Sequence, residues 1–208
     1  MNLPGLFSNI NLFYLIITHI QVVIWESFIS HAHFIRQRIM ADLEKLIKDG
    51  HKEMEKGDFK KAYNKFKKAA EEFPDNSEIW FLKAETGNMA SGMFGAKIPD
   101  EEIIDAYKRA IELDPENFMY YSSYGSFCIS VGEYEEAEGA YKEAAELDDA
   151  NAGRYLSEFA VEYYNSVLAR YGEIMDDPKA REPYARKALQ FMLMALDMDA
   201  DEAKRLLE

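Results

Sequence analysis

Ala62-x3-Phe66-x2-Ala69-x4-Pro74 decides the fold, because its order of small, aromatic, small and proline residues comes back. Ile103-x3-Tyr107-x2-Ala110-x4-Pro115 follows, then Ala137-x3-Tyr141-x2-Ala144-x4-Asp149, and last Ala188-x3-Met192-x2-Ala195-x4-Ala200. The first members stand 41, 34 and 51 residues apart. A step of 34 is a period of stacked helix pairs. The other two steps are 34 with insertions of 7 and 17 residues.

Four repeats are expected, at 43–76, 77–117, 118–151 and 152–202, each of two antiparallel helices A and B. Local signals agree with the period. Gly57-Asp58-Phe59 and Gly132-Glu133-Tyr134 carry a glycine able to take positive φ where helix A ends. Asp58 is placed to cap a helix B. Pro74 and Pro115 stop a helix B, and Asn76, Asn117 and Asn151 each precede a helix A as candidate N-caps. In helix A, Trp80 and Tyr121 fill the early large position, with Leu46 and Tyr155 in their place in the outer repeats. Gly50, Ala84 and Gly125 supply the small residue where the paired helices cross closely, and Phe159 stands there in the fourth repeat.

These residues resemble the tetratricopeptide repeat, over about four-fifths of the chain. The resemblance implies an all-α fold, a right-handed superhelical array of about four antiparallel helix pairs. It also implies a noncatalytic scaffold that binds a protein or peptide segment in the groove lined by helix A. The expected lining is Ile47, His51 and Met54; Phe81, Glu85 and Asn88; Ser122, Ser126 and Ile129; and Leu156, Ala160 and Tyr163. The other reading of Phe81, Leu156 and Tyr163 is burial between repeats. Family members that hold acidic chaperone tails use a clamp of Lys, Arg and Asn on this stripe. Here Ile47, His51, Leu82 and Ser122 stand near those places, and no cationic pair is present.

Two insertions are expected. Gly87–Lys97 reads as a glycine-rich loop, with Met93 and Phe94 at its tip either docking on a partner or folding back. In the fourth repeat, Val161, Tyr164, Val167, Leu168 and Tyr171 keep helical spacing, so helix A is expected to lengthen, with a loop at Gly172–Pro183. Residues 203–208 are left for a short terminal helix.

The chain has 208 residues, 24 basic and 38 acidic, a net charge of −14. That balance argues against nucleic acid, whose binding rests on cationic contacts; it permits a partner with a basic flank, and the other reading is that it only keeps the protein soluble. Cys128 is the one cysteine, which fits a reducing compartment. No phosphate loop, nucleophile motif or metal-ligand spacing is seen, so no catalytic residue, cofactor or metal is expected. His31 and His33, two apart, point to different sides of a helix.

Residues 1–39 differ in character. They hold only Glu26, Arg36 and Arg38 as charged residues and contain the apolar run Leu12–Trp25. Three readings stay open: translated sequence upstream of a start at Met40, a membrane anchor, or an extra helix with Ile24, Phe28, Ile35, Ile39, Leu43 and Leu46 in register. A cytoplasmic scaffold is the expectation. A membrane-tethered assembly factor with cytoplasmic repeats, or a self-associating structural protein, is the alternative.

Overall fold

A computed structural model describes the backbone of residues 5–172 and 176–207, and the side chains of Trp25, 29–172 and 176–207. The described residues form nine α-helices, one short 3-10 helix and no strand. Contacts divide the chain into two units, Met1–Leu46 and Ile47–Glu208. Helix α1 (Gly5–Glu55) fills the described part of the first unit, and its last residues belong to the second. In the first unit Ile29, Phe34, Ile35 and Ile39 are exposed. Most of the apolar run Leu12–Trp25, with Ile24 and Phe28, lies outside the described side chains.

The second unit is a series of helix pairs. The end of α1 is followed by α2 (Phe59–Glu72). Next come α3 (Ser77–Gly92) with α4 (Asp100–Leu113), and α5 (Phe118–Val131) with α6 (Tyr134–Leu147). Then α7 (Ala152–Tyr171) pairs with α8 (Pro178–Met194), and α9 (Ala200–Leu207) follows. A helices also pack on the A helix of the preceding pair, α5 on α3 and α7 on α5.

The turn chemistry is local and works as its residue types dictate. Gly57 and Gly132 have φ of 75° and 93°, in the left-handed region where a Cβ is strained. Asp58 accepts from the Lys61 N–H at 3.0 Å, and Asn76 from the Ile79 N–H at 3.0 Å. Asn151 departs from expectation. It does not cap α7, and its amide binds Asp148 at the end of a 3-10 turn, Asp149–Asn151.

Small residues set how closely helices approach. A Cβ on Gly125 would lie 2.7 Å from the Tyr141 ring, and one on Gly50 2.2 Å from the Phe66 ring. Gly87 has the same role, since its Cβ would sit 3.2 Å from both Tyr63 and Ile103. This corrects the expected loop Gly87–Lys97. Helix α3 runs on to Gly92, because Gly87 serves close packing rather than a turn. In the fourth pair α7 is lengthened to Tyr171, but α8 begins five residues before Pro183. Asp177 caps it by accepting from the Lys179 N–H at 3.0 Å, and Pro178 stands at its first position, where no N–H is needed. Residues 173–175 of that connection lie outside the described residues.

Polar groups tie the second pair to its neighbour. Trp80 donates its indole N–H to the Pro74 carbonyl at 2.9 Å, and the Lys83 ammonium lies 4.9 Å from the Trp80 ring centre. Lys83, although buried, reaches Glu102 at 3.5 Å, and Lys67 reaches the same oxygen at 2.7 Å. The Lys67 hydrogen bond leads in holding the Glu102 carboxyl down to about 2.

Candidate functional site

Helices α3, α5 and α7 lie side by side, so their outward residues share one face of the second unit. Beside them, on α1, Ile47 and Met54 are half-buried against Ala62, Phe66 and Leu82, and His51 is exposed with its ring edge-on to Phe66 at 5.9 Å. On α3, Phe81 is half-buried, stacked on Tyr120 at 4.6 Å and edge-on to Tyr107 at 6.2 Å. The Tyr107 hydroxyl comes up from α4 and donates to Glu85 at 2.5 Å, within reach of Asn88. On α5, Ser122 donates to the Met119 carbonyl at 3.2 Å, and Ser126 lies within reach of the Tyr141 hydroxyl. Ile129 is buried, and Ser166 of α7 donates to its carbonyl at 3.1 Å.

The fourth pair does not follow the expected register. Leu156, Ala160 and Tyr163 are buried, 8%, 2% and 4% exposed, so they offer a partner almost no surface. Tyr120 packs on the preceding A helix through Phe81, and Tyr155 does so through Phe118. Tyr124 meets the preceding B-helix ring Tyr107, and Phe159 meets Tyr141. Both correspondences step by 35 residues, one more than the period. The 3-10 turn before α7 absorbs the extra residue. Leu156-x2-Phe159-Ala160-x2-Tyr163 therefore takes the places of Tyr121-x2-Tyr124-Gly125-x2-Cys128. Ala160, not Phe159, is the small residue at the crossing. Outward positions pass to Ser157, Val161, Tyr164 and Asn165, all half-buried or exposed.

The shift also explains two residues that the sequence reading missed. Glu162 accepts from the Tyr141 hydroxyl at 3.1 Å, and Glu158 sits one turn before it. The Glu158 carboxyl is pushed up, first by burial and then by Glu162, and Arg154 offsets only part of this. Burial raises the Tyr107 and Tyr141 hydroxyls, so both stay protonated donors. Among the described residues no Lys or Arg forms an ion pair with Glu85, Glu158 or Glu162. Glu85 and Glu162 thus each accept from a tyrosine hydroxyl, and Glu158 lies between Glu162 and Arg154.

The tip of the α3–α4 connection folds back in part. Phe94 folds back onto Phe59, stacked at 5.4 Å, yet it remains 56% exposed, and Met93 beside it is 72% exposed. Burial pushes the Cys128 thiol up to about 11, so it is a poor nucleophile. Among the described residues no group of three or more His, Cys, Asp or Glu side chains is placed to hold a metal.

Residues 106–139 match the family model described as tetratricopeptide repeat. Over 112 residues, 54% of this chain, it is 34% identical to small glutamine-rich tetratricopeptide repeat-containing protein 2 of Mycosarcoma maydis. The protein of the same name from Saccharomyces cerevisiae is 33% identical over 112 residues. The match spans 30% of the length of each relative. Among solved structures, MamA superposes with a TM-score of 0.52 at 21% identity, over 78% of this chain and 87% of that one. That likeness is one of fold. Helix pairs, crossing glycines and the matched segment agree, and the chain carries the tetratricopeptide repeat within an array of such helix pairs.

Proposed function

We propose that the chain is a noncatalytic scaffold that holds a basic, partly apolar segment of a partner protein across α3, α5 and α7. One observation carries this reading: Glu158, partly desolvated, stands one turn from Glu162, and among the described residues neither forms an ion pair. Two like charges four residues apart on a helix repel each other. A partner's Lys or Arg removes that cost by supplying the missing charge. Glu85, 2.5 Å from the Tyr107 hydroxyl, provides a third acceptor. Phe81, Val161 and Tyr164 give apolar contact beside the acids, worth roughly 25 cal/mol per Å² buried before ordering costs. His51, Met54, Asn88, Ser122 and Ser126 complete the surface, and Met93 and Phe94 offer a second, apolar contact.

The test is calorimetric titration with two peptides of equal length and apolar content, one bearing Lys and Arg and one bearing neutral Gln. Preference for the basic peptide, weakening as salt rises, is the expected result. Equal binding of both, or binding of neither, ends this reading. A cytoplasmic setting fits the reading. Among the described residues no helix is long and apolar enough to cross a membrane.

A further inference from the structure

Helix α2 turns Lys60, Tyr63, Asn64 and Lys67 to one side, at steps of 3, 1 and 3 residues, the spacing of a single helix face. Across from them lie Lys97 of the α3–α4 connection and Glu102 of the first turn of α4. Together they line a pocket of about 390 Å³, to which neither α5 nor α7 contributes a residue. It is therefore separate from the face that holds the basic segment in the reading above. In a chain of net charge −14, its lining carries three lysines and one acid.

The positive charge is not used up within the chain. One Glu102 oxygen takes both Lys67, at 2.7 Å, and the buried Lys83, at 3.5 Å. Two cations on one carboxylate leave a positive charge over. Among the described residues Lys60 and Lys97 form no ion pair. Asp100 and Glu101 share the first turn of α4, but both are exposed, lie on other sides of that helix from Glu102, and do not line the pocket.

Uncharged donors are left over as well. Tyr63 is 5% exposed, yet its hydroxyl makes no hydrogen bond; Glu102 lies beside it but is held by the lysines. Burial pushes that hydroxyl's pKa up, so it stays a donor. A buried donor without an acceptor is costly, and a ligand oxygen removes that cost. The N-cap of α4 is Pro99, which offers no side-chain acceptor, and among the described residues the N–H groups of Asp100 and Glu101 find none. Open N–H groups at a helix start, beside lysines, suit an oxyanion.

We infer that this pocket binds a phosphate group, with Lys60, Lys67 and Lys97 as its cationic partners and the Tyr63 hydroxyl as a further donor. Phosphate fits better than a carboxylate. A phosphate monoester brings three acceptor oxygens and close to two charges, and the donors left here outnumber the two oxygens of a carboxylate. Met93 and Phe94, 72% and 56% exposed, directly precede Gly95 of the lining, so an apolar residue next to a phosphorylated side chain has a surface to meet.

The first probe is inorganic phosphate, titrated into the full chain at an ionic strength held constant with chloride. Amide NMR is expected to show saturable shifts centred on Gly95, Asp100 and Glu101. Lys60→Ala combined with Lys97→Ala, both exposed, is expected to weaken the affinity about tenfold. Lys68→Ala, on the same helix but paired with Glu72, is expected to leave it unchanged. Tyr63→Phe is expected to weaken it with the melting temperature unmoved, because the hydroxyl it removes holds nothing in the free chain. A phosphoserine peptide with leucine beside the phosphate separates the sources. Binding tighter than that of inorganic phosphate assigns the group to a protein partner, and equal binding assigns it to a free ion or small ester; both keep the site. No saturation with either probe overturns the inference, and so does binding that the paired lysine variant does not weaken. Unchanged affinity in Tyr63→Phe also overturns it, since the hydroxyl then serves only Glu102.

Discussion

The Tyr141 hydroxyl of α6 donates to Glu162 of α7 at 3.1 Å, a bond from one helix pair to the next. Its ring is fully buried and sits where a Cβ on Gly125 would collide. One side chain thus fills the α5–α6 crossing, joins adjacent pairs, and presents a polar atom to the outward face. Removing the hydroxyl alone separates these roles. Tyr141→Phe is expected to cost about 0.5–1.5 kcal/mol, the usual net value of one hydrogen bond. Urea denaturation followed by circular dichroism measures it. A loss beyond about 3 kcal/mol would mean that the ring packing itself had changed.

Gly125 tests the crossing directly. Alanine has the better helix propensity by about 1 kcal/mol, so on an open helix the change would stabilise. Here the new Cβ would lie 2.7 Å from the Tyr141 ring and 3.4 Å from the Ala137 carbonyl oxygen. The steric effect wins, and Gly125→Ala is expected to destabilise by about 1–3 kcal/mol. Gly139, with nothing within 4 Å of a Cβ, is the control, and its alanine variant is expected to be stable or better. The two melting temperatures should move in opposite directions.

Why the first three pairs were legible and the fourth was not follows from these contacts. Gly50, Ala84 and Gly125 are small because a ring or helix lies against them, so the sequence shows the crossing and its register. In the fourth pair a 3-10 turn inserts one residue before α7, and counting by 34 put Phe159 where Ala160 stands. Tyr163, Leu156 and Ala160 were thereby turned outward on paper when they are core, and Glu158 and Glu162 went unnoticed. The pattern Leu156-x2-Phe159-Ala160-x2-Tyr163 was the available signal. Gly87 misled differently. A glycine that admits Tyr63 and Ile103 cannot be told by sequence from one that breaks a helix. The outward residues differ in chemistry from helix to helix, so nothing in the spacing marks them.

Phe159 carries the largest predicted stability effect. It is fully buried, 4.4 Å from the Phe191 ring, 5.4 Å from Tyr163 and 5.8 Å from Tyr141. Phe159→Ala leaves a cavity at the junction of α6, α7 and α8. A loss of about 3–5 kcal/mol is expected. The same change at Phe94, stacked on Phe59 but 56% exposed, is expected to cost well under that. Thermal melts of both variants compare them.

Acid should act through Glu102. Its carboxyl is held down to about 2, mainly by the Lys67 hydrogen bond. A group whose folded pKa is depressed stabilises the fold above its unfolded value and loses that contribution as pH falls through the folded one. The window therefore runs from about 4.5 down to about 2. Glu102→Gln is expected to lower stability at pH 7 and to flatten the acid slope within that window. Parallel slopes for the two proteins would place the acid-sensitive groups elsewhere.

Glu158 works with the opposite sign. Burial and Glu162 push its carboxyl up, so the folded protein binds that proton more tightly than the unfolded chain does. Its charged form opposes folding, and stability rises as pH falls through the raised value. Glu158→Gln removes the opposing charge and is expected to raise the melting temperature at pH 7. The same change removes an acceptor for a partner's Lys or Arg, so affinity for a basic peptide is expected to fall. Glu101, exposed in the first turn of α4, is the control: Gln there is expected to leave peptide affinity unchanged. A gain in stability together with a loss of binding, in one variant, is the signature of a carboxylate kept for an absent cation. If Glu158→Gln binds the basic peptide as tightly as the native chain while melting higher, the strain at this residue has no part in recognition. The partner's cation would then belong on Glu85, beside Tyr107.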